Sequence, residues 1–496
     1  MRSTGRAPVD PGRHQSGGRA TGWALAGAAA TTAANFGIAL VVARSGAALA
    51  GVFFAATAVV SMLGNATALG SMTGLLYFMP EAVDGHRPAP RALLAVALGP
   101  VVVVSVAAAL ALAAGAGPVA RLVAPDDAVR VASMLRVMAV AVPGWALATG
   151  LLGATRGLGT MTATVTVNQV GKPLAQLSLV AGVMVAGWSP TALAVAWAVP
   201  VVASAAAAGV WVAVLGGLSG PDRGPVTATR FWRYTRARAV STTLQIALER
   251  ADVLVVSALA GTAAAGVYGT LTRYITAGNF VVFSVAQATT PSLRRAVADG
   301  DLAGARRILE RATGWMVLAT WPYLLVVATK AAPLSRLFAP GFDTGAIALA
   351  MLAGAVAVNA ATGPIDATLL MLGRSATSMV STAAALTVDL ALAWVLVPRM
   401  GLTGAALAWG AAVVVANGSA TVAVARASGL RAPGRAAAMA ALGALVAVVP
   451  VAALTPSSLG GVAVTVAVGG VILAAWALRF APTLGLAEPT PVRSSP

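Results

Sequence analysis

Three features of the sequence predict an all-α, polytopic membrane protein. Of its 496 residues, 58% are hydrophobic and only 10% charged. Apolar runs of about 20 residues, long enough to span a bilayer, recur along nearly the whole chain. The short segments between them are rich in Arg, Pro and Gly. The 53 Gly and 27 Pro would weaken soluble helices, but bilayer helices tolerate both, and small residues let helices approach closely.

Taken in order, the runs place spans at 22–42, 51–79, 92–114, 131–152, 161–186 and 191–215, a first group of six. A basic segment at 216–238 follows. A second six lies at 239–260, 266–290, 312–329, 345–370, 376–397 and 402–425, and a final pair at 436–454 and 459–478 completes about 14 spans. The organisation predicted is a disordered cytoplasmic tail at 1–20, an N-terminal lobe at 21–215, a basic linker at 216–238, a C-terminal lobe at 239–425, a last pair of spans at 426–480 and a tail at 481–496.

Charge orients the spans. With the amino terminus in the cytoplasm, Arg44, Arg121, Arg130, Lys330, Arg336 and Arg399 fall outside and Arg136, Lys172, Arg250 and Arg273 fall within spans, leaving 23 of the 33 Lys and Arg on the cytoplasmic side. The net charge of +18 is spread over many short loops, so it reads as topology and anionic-lipid contact rather than a nucleic-acid surface. The chain has no cysteine, and His14 and His86 lie in polar segments, which leaves no metal centre to read and no cofactor.

An internal repeat supports two lobes of shared orientation. The segment from Leu40 (LVVARSGAALAGVFFAATAVV) resembles that from Leu254 (LVVSALAGTAAAGVYGTLTRYI), with Gly51, Val52 and Phe53 opposite Gly266, Val267 and Tyr268. A fainter echo pairs LLGATR from Leu151 with LLMLGR from Leu369. Parallel repeats of this kind, related by an axis along the membrane normal, are typical of transporters.

Leu396 to Ala406 (LVPRMGLTGAA) resembles the hallmark turn of the polysaccharide transporter family, the O-antigen-type flippases of the multidrug/oligosaccharidyl-lipid/polysaccharide exporter superfamily. Further pieces agree in order: Ala43 and Arg44 before Gly51, Val52 and Phe53; Asp252 before Gly266, Val267 and Tyr268; Pro291 to Arg295; and Leu372, Gly373 and Arg374. Together they cover about residues 22–425. The resemblance implies a flippase that moves an undecaprenyl-diphosphate-linked oligosaccharide across the inner membrane by alternating access. It implies membrane lipids as surroundings and a polysaccharide polymerase or glycosyltransferases as partners. Two relatives in the superfamily remain as alternatives. Lipid II flippases share the 14 spans but place arginines in the first two, where this chain has Asn35 and Asn65; multidrug extruders usually have 12 spans.

An ionisable side chain at the bilayer centre costs about 2.5 to 3.5 kcal/mol even on lenient scales, so those inside spans are the candidate site residues. Under the implied function, Lys172, Arg250 and Arg273 are the candidate phosphate contacts, with Gln245 also in the candidate cavity; Lys172 alternatively neutralises a carboxylate of another span. Lys172 sits beside Gly171 and Pro173, and the proline removes a backbone donor and loosens the helix there. Gln245, Glu249 and Asp252 follow Ser241 at i+4, i+8 and i+11, on one helical face, with Arg250 pointing elsewhere. Glu249, Asp252, Asp366 and Asp389 are candidates for ion coupling, Asp366 and Asp389 alternatively for helix-to-helix hydrogen bonds. Arg136, early in its span, either joins the substrate cavity or snorkels to the headgroups. Asp252 and Arg273 fall at about the same depth, roughly 10 to 12 Å below the turn between their helices at 1.5 Å per residue, which predicts an ion pair, permanent or exchangeable with substrate.

No GxxxxGK[ST] phosphate loop occurs, so nucleotide hydrolysis within the chain is not expected. A membrane-bound glycan enzyme would need clustered polar groups on a large external loop. The longest such loop carries Asp126 and Asp127 after Pro125, which read as a helix-starting turn rather than a metal site. A scaffold without transport activity is the third reading. The final pair of spans has no ionisable residue between Ala436 and Leu478 and is expected to face lipid rather than a polar cavity.

Overall fold

The computed structural model describes residues 12–83, 90–218, 228–430 and 434–484. These residues are overwhelmingly helical and contain no strand. Residues 1–11 of the expected tail, 219–227 of the linker, His86 and residues 485–496 lie outside the described residues. The first helix, α1 (Gly12–Ala43), takes in the end of the expected tail and the first apolar run. No proline interrupts the chain between Pro11 and Pro80, so nothing stops this helix from extending past its apolar stretch.

The first group continues with α2 (Ala47–Thr67) and α3 (Ser71–Val83), joined through Leu69 and Gly70, both left-handed with φ of 52° and 70°. Then come α4 (Pro90–Ala114), α5 (Ala116–Val123), α6 (Ala128–Met138) and α7 (Ala141–Gly157). A π-helix at Thr164–Gly171 runs into α8 (Lys172–Val185), and α9 (Pro190–Val214) closes the group. Helix α7 packs against α2, α3, α4 and α9. Its Gly150, Gly153 and Gly157 lie against Ser71, Met72, Leu75 and Met79 of α3, the close approach that small residues permit.

The second group comprises α10 (Ala228–Ala260), α11 (Thr262–Ala298), α12 (Leu302–Thr329), α13 (Ala331–Arg336), α14 (Ala346–Thr362), α15 (Ile365–Met371), α16 (Ser375–Met400) and α17 (Leu402–Ser428). Here α17 packs on α14 and α16, α10 on α16, and α12 on α11 and α14. The last pair, α18 (Arg435–Leu454) and α19 (Leu459–Arg479), followed by the short α20 (Ala481–Leu484), docks on α12.

Among the described residues, ten helices are long and apolar enough to cross a membrane, eleven counting the α6–α7 pair, which is bent by 47°. The multi-pass character follows. The expected count of 14 exceeds this because the other three predicted spans correspond to the π-helix with α8, to α10 and to α11. The first is broken by its π segment, and all three carry the charged and polar side chains Lys172, Arg250 and Arg273.

The two groups meet where α2 crosses α11, with further contacts of α2 to α10 and α1 to α11. Gly46 (φ 109°) precedes α2 and Gly261 (φ 89°) precedes α11 at the same 215-residue offset that relates Gly51 to Gly266. A side chain at Gly51 would collide with the Thr262 carbonyl, and one at Gly266 with the Ala47 carbonyl. This reciprocity, in which each partner's contact is repeated by its counterpart, is what a two-fold relation generates. The glycines of the sequence repeat are thus the residues that let the groups touch.

Candidate functional site

A cavity of about 510 Å³ lies between the groups. It starts at Phe53, Phe54 and Arg273, within about two turns of the α2–α11 crossing, and extends along α1 and α11 to Ala28 and Phe283. It lies wholly on the side of the crossing that holds the N-terminal end of α1.

Its charged lining consists of Lys172, Arg250 and Arg273, with no carboxylate among the lining residues. Around them stand Thr31, Asn35, Asn168, Gln169, Gln176 and Asn279, and the aromatic rings of Trp145, Trp197 and Phe280. No helix of the last pair contributes. Lys172 is held by local chemistry: its Nζ donates to Asn168 Oδ1 at 2.7 Å and stands 4.8 Å from the centre of the Trp145 ring. The π-helix that positions it follows from Pro173. In an α-helix the Gln169 carbonyl would accept from the backbone N–H of residue 173, and proline has none. Thr31 Oγ1 on α1 donates to that carbonyl at 2.7 Å, so the loss is made good from a neighbouring helix.

Arg273 reaches across the interface. Its Nε donates to Gly269 O at 3.1 Å and its guanidinium lies 5.3 Å from the centre of the Phe54 ring on α2. The expected ion pair with Asp252 is not formed. Asp252 Oδ1 instead accepts from the Val253 N–H at 2.7 Å, and the side chain is buried on the α16 side, where it interacts electrostatically with Asp389. Residue counting along a helix leaves open the direction each side chain faces around it.

The other candidates separate as well. Gln245 and Glu249 are exposed and outside the cavity lining, although they share a helical face with Asp252; only the last of the three turns inward. Arg250, off that face and expected as a phosphate contact, lines the cavity, with Glu249 close enough to offset part of its charge. Arg136 is exposed at the last turn of α6 and is not among the cavity-lining residues. Asp366 accepts from Ser378 Oγ at 2.6 Å, a helix-to-helix bond. Asp389 is buried, and neither carboxylate oxygen has a hydrogen-bond partner; the Tyr268 hydroxyl faces both Asp252 and Asp389. Among the described residues no three His, Cys, Asp or Glu side chains gather as metal ligands.

Two residues outside the expected set have structural parts. Asp126 sits in the turn Pro125–Asp127 before α6, as a helix-starting turn should, but its carboxylate caps α11 of the other group. Lys330, assigned to a loop by its flanks, is buried, and its Nζ donates to the carbonyls of Ala452 and Thr455 at 2.8 Å and Pro456 at 3.2 Å. A lone lysine between apolar runs, next to a helix end, is the sequence signal for such a cap.

No family model and no curated protein matches the sequence. Solved structures do match the fold. A lipid II flippase, MurJ, in an inward closed conformation, superposes with a TM-score of 0.75 at 10% identity, over 91% of this chain and 97% of that one. An inward-facing multidrug resistance MATE family transporter of the MOP superfamily gives 0.65 at 15%, over 81% and 96%. The chain has the fold of these transporters. A MOP superfamily transporter from Pyrococcus furiosus, described by the reverse polarity of its binding pocket, gives 0.55 at 17%, over 82% and 95%.

Proposed function

We propose that the protein is a flippase, resident in the cytoplasmic membrane with both termini inside, that carries an undecaprenyl-diphosphate-linked oligosaccharide to the outer leaflet by alternating access of its two lobes. The observation that carries this reading is a cavity whose charged lining is wholly cationic, Lys172 from one lobe and Arg250 and Arg273 from the other. Three cations with little acid to neutralise them attract a diphosphate across a low-dielectric path. The amides and hydroxyls around them suit sugar hydroxyls, and the polyprenyl chain stays in lipid. The same lining repels organic cations, which disfavours a cationic-drug exporter. The fold neighbours are transporters, which supports transport over a membrane-bound glycan enzyme.

Asp389 and Asp252 are the coupling groups in this reading. A buried carboxylate without a hydrogen-bond partner is costly unless it takes a proton or a cation, and Asp389, facing Asp252 and Tyr268, is such a group. A second reading, flipping of lipid II, shares the diphosphate and is supported by the MurJ likeness, which spans more of the chain than that of the MATE transporters. The experiment that separates the two is identification of the lipid-linked intermediate that accumulates when the gene is deleted: an oligosaccharide diphosphate lipid for the first, a peptide-bearing one for the second. Accumulation of neither contradicts both.

A further inference from the structure

We propose that Asp126 is the releasable latch of the outer gate, holding the two lobes closed on the side away from the cavity by capping α11 across the interface. Its Oδ2 accepts from both the backbone N–H and the Oγ1 of Thr262, each at 2.9 Å. Asp126 lies in the α5–α6 connection of the first lobe, and Thr262 is the first residue of the second lobe's α11, so the bonds cross between bodies.

Three observations make this a gate contact. Thr262 is also the residue whose carbonyl touches Gly51, so the latch and the tight glycine crossing share one residue at one end of the interface. The two helices at the crossing begin alike, after Gly46 and after Gly261, yet α2 has no capping side chain among the described residues while α11 takes one from the opposite lobe. The asymmetry shows that the cap is not needed to start a helix here; it joins the lobes. Finally, Asp126 is exposed while Thr262 is buried, so water can replace the carboxylate when the lobes part. A negative charge on the positive end of a helix dipole strengthens the closed state, and the contact disappears on opening.

Packing at Gly51 and Gly266 is fixed by backbone shape, whereas the two hydrogen bonds to Asp126 form and break whole. Losing hydrogen bonds to a charged acceptor shifts a two-state population by about tenfold or more.

The test uses the cysteine-free chain with Thr276→Cys in the cavity as a reporter and a membrane-impermeant maleimide added outside. It rests on the cytoplasmic placement of the termini, but not on the substrate. Asp126→Ala is expected to raise the external labelling rate about tenfold, with Thr262→Val, which keeps the backbone N–H, intermediate. An independent arm joins Asp126→Cys to Thr262→Cys: the disulfide should abolish external labelling of the cavity, and reduction should restore it. Unchanged labelling in Asp126→Ala, or external labelling that persists in the cross-linked protein, overturns the latch; a rise seen only from the cytoplasmic face overturns the side assigned to it.

Discussion

Gly51 and Gly266 stand against each other's helix backbone: the Cβ that Gly51 lacks would fall 3.0 Å from the Gly266 nitrogen, and the one Gly266 lacks would fall 2.8 Å from the Gly51 nitrogen. Both positions would also collide with a carbonyl of the facing helix. The crossing of α2 and α11 therefore has no room for any side chain, and the lobes can close there only while both residues are glycine.

Gly266→Leu is accordingly expected to wedge the crossing open. Overpacking of this kind costs roughly 1 to 3 kcal/mol, enough to shift a lobe equilibrium without unfolding the lobes. External labelling of a cysteine at Thr57, in the cavity wall, should rise, while the protein level changes little. Unchanged labelling would mean that the crossing does not seal the cavity.

Lys330 makes a separate prediction about the last pair of helices. Its ammonium satisfies the carbonyls of Ala452, Thr455 and Pro456 at the end of α18, where a helix dipole favours a cation. Lys330→Met keeps the apolar stem but strands those acceptors, at a cost of about 1 to 3 kcal/mol. The detergent-solubilised variant should melt several degrees lower, and protease should reach the loop between α18 and α19. A melting temperature equal to that of the parent would show the cap to be dispensable.

How far these features were legible in the sequence differs residue by residue. Lys172 stands out as a charge beside Gly171 and Pro173 inside an apolar run, where it lines the cavity rather than meeting a carboxylate of another span, and the π-helix follows from the missing proline N–H. The Gly51 and Gly266 repeat was legible because the crossing tolerates no other residue. Asp252 and Arg273 do not pair, since counting residues along a helix leaves the direction each side chain faces to packing. The partner of Asp126 was out of reach: Thr262 lies 136 residues away, and a Pro-Asp-Asp turn reads the same whether it caps its own helix or another. The three expected spans that do not stand out by length and apolarity are those at α8, α10 and α11, which carry the cavity-lining Lys172, Arg250 and Arg273.

The carboxylate pair in the second lobe predicts a split between stability and coupling. Asp389 has no hydrogen bond to lose, so Asp389→Asn should fold at least as well as the parent. Transport by the variant should lose its dependence on a sodium or proton gradient. A variant that is destabilised yet keeps the gradient dependence would assign Asp389 to packing.

Topology is checked at the linker. The arginine distribution puts the segment between α9 and α10 in the cytoplasm, so a cysteine at Ser219, which lies outside the described residues, should react with impermeant maleimide only after the membrane is opened. Labelling in intact cells would invert the whole assignment, including the side on which the cavity lies.

The central claim is that the cationic cavity selects a diphosphate-linked lipid, and the direct measurement is translocation in proteoliposomes of a fluorescent polyprenyl-diphosphate oligosaccharide, with an organic cation as the competing cargo. The parent protein should move the diphosphate lipid and not the cation. Lys172→Gln and Arg273→Gln should each slow it by about tenfold or more, as expected for loss of a charge-assisted contact in a water-poor site. Transport of the organic cation by the parent, or undiminished flipping once both positive charges are removed, would contradict the account.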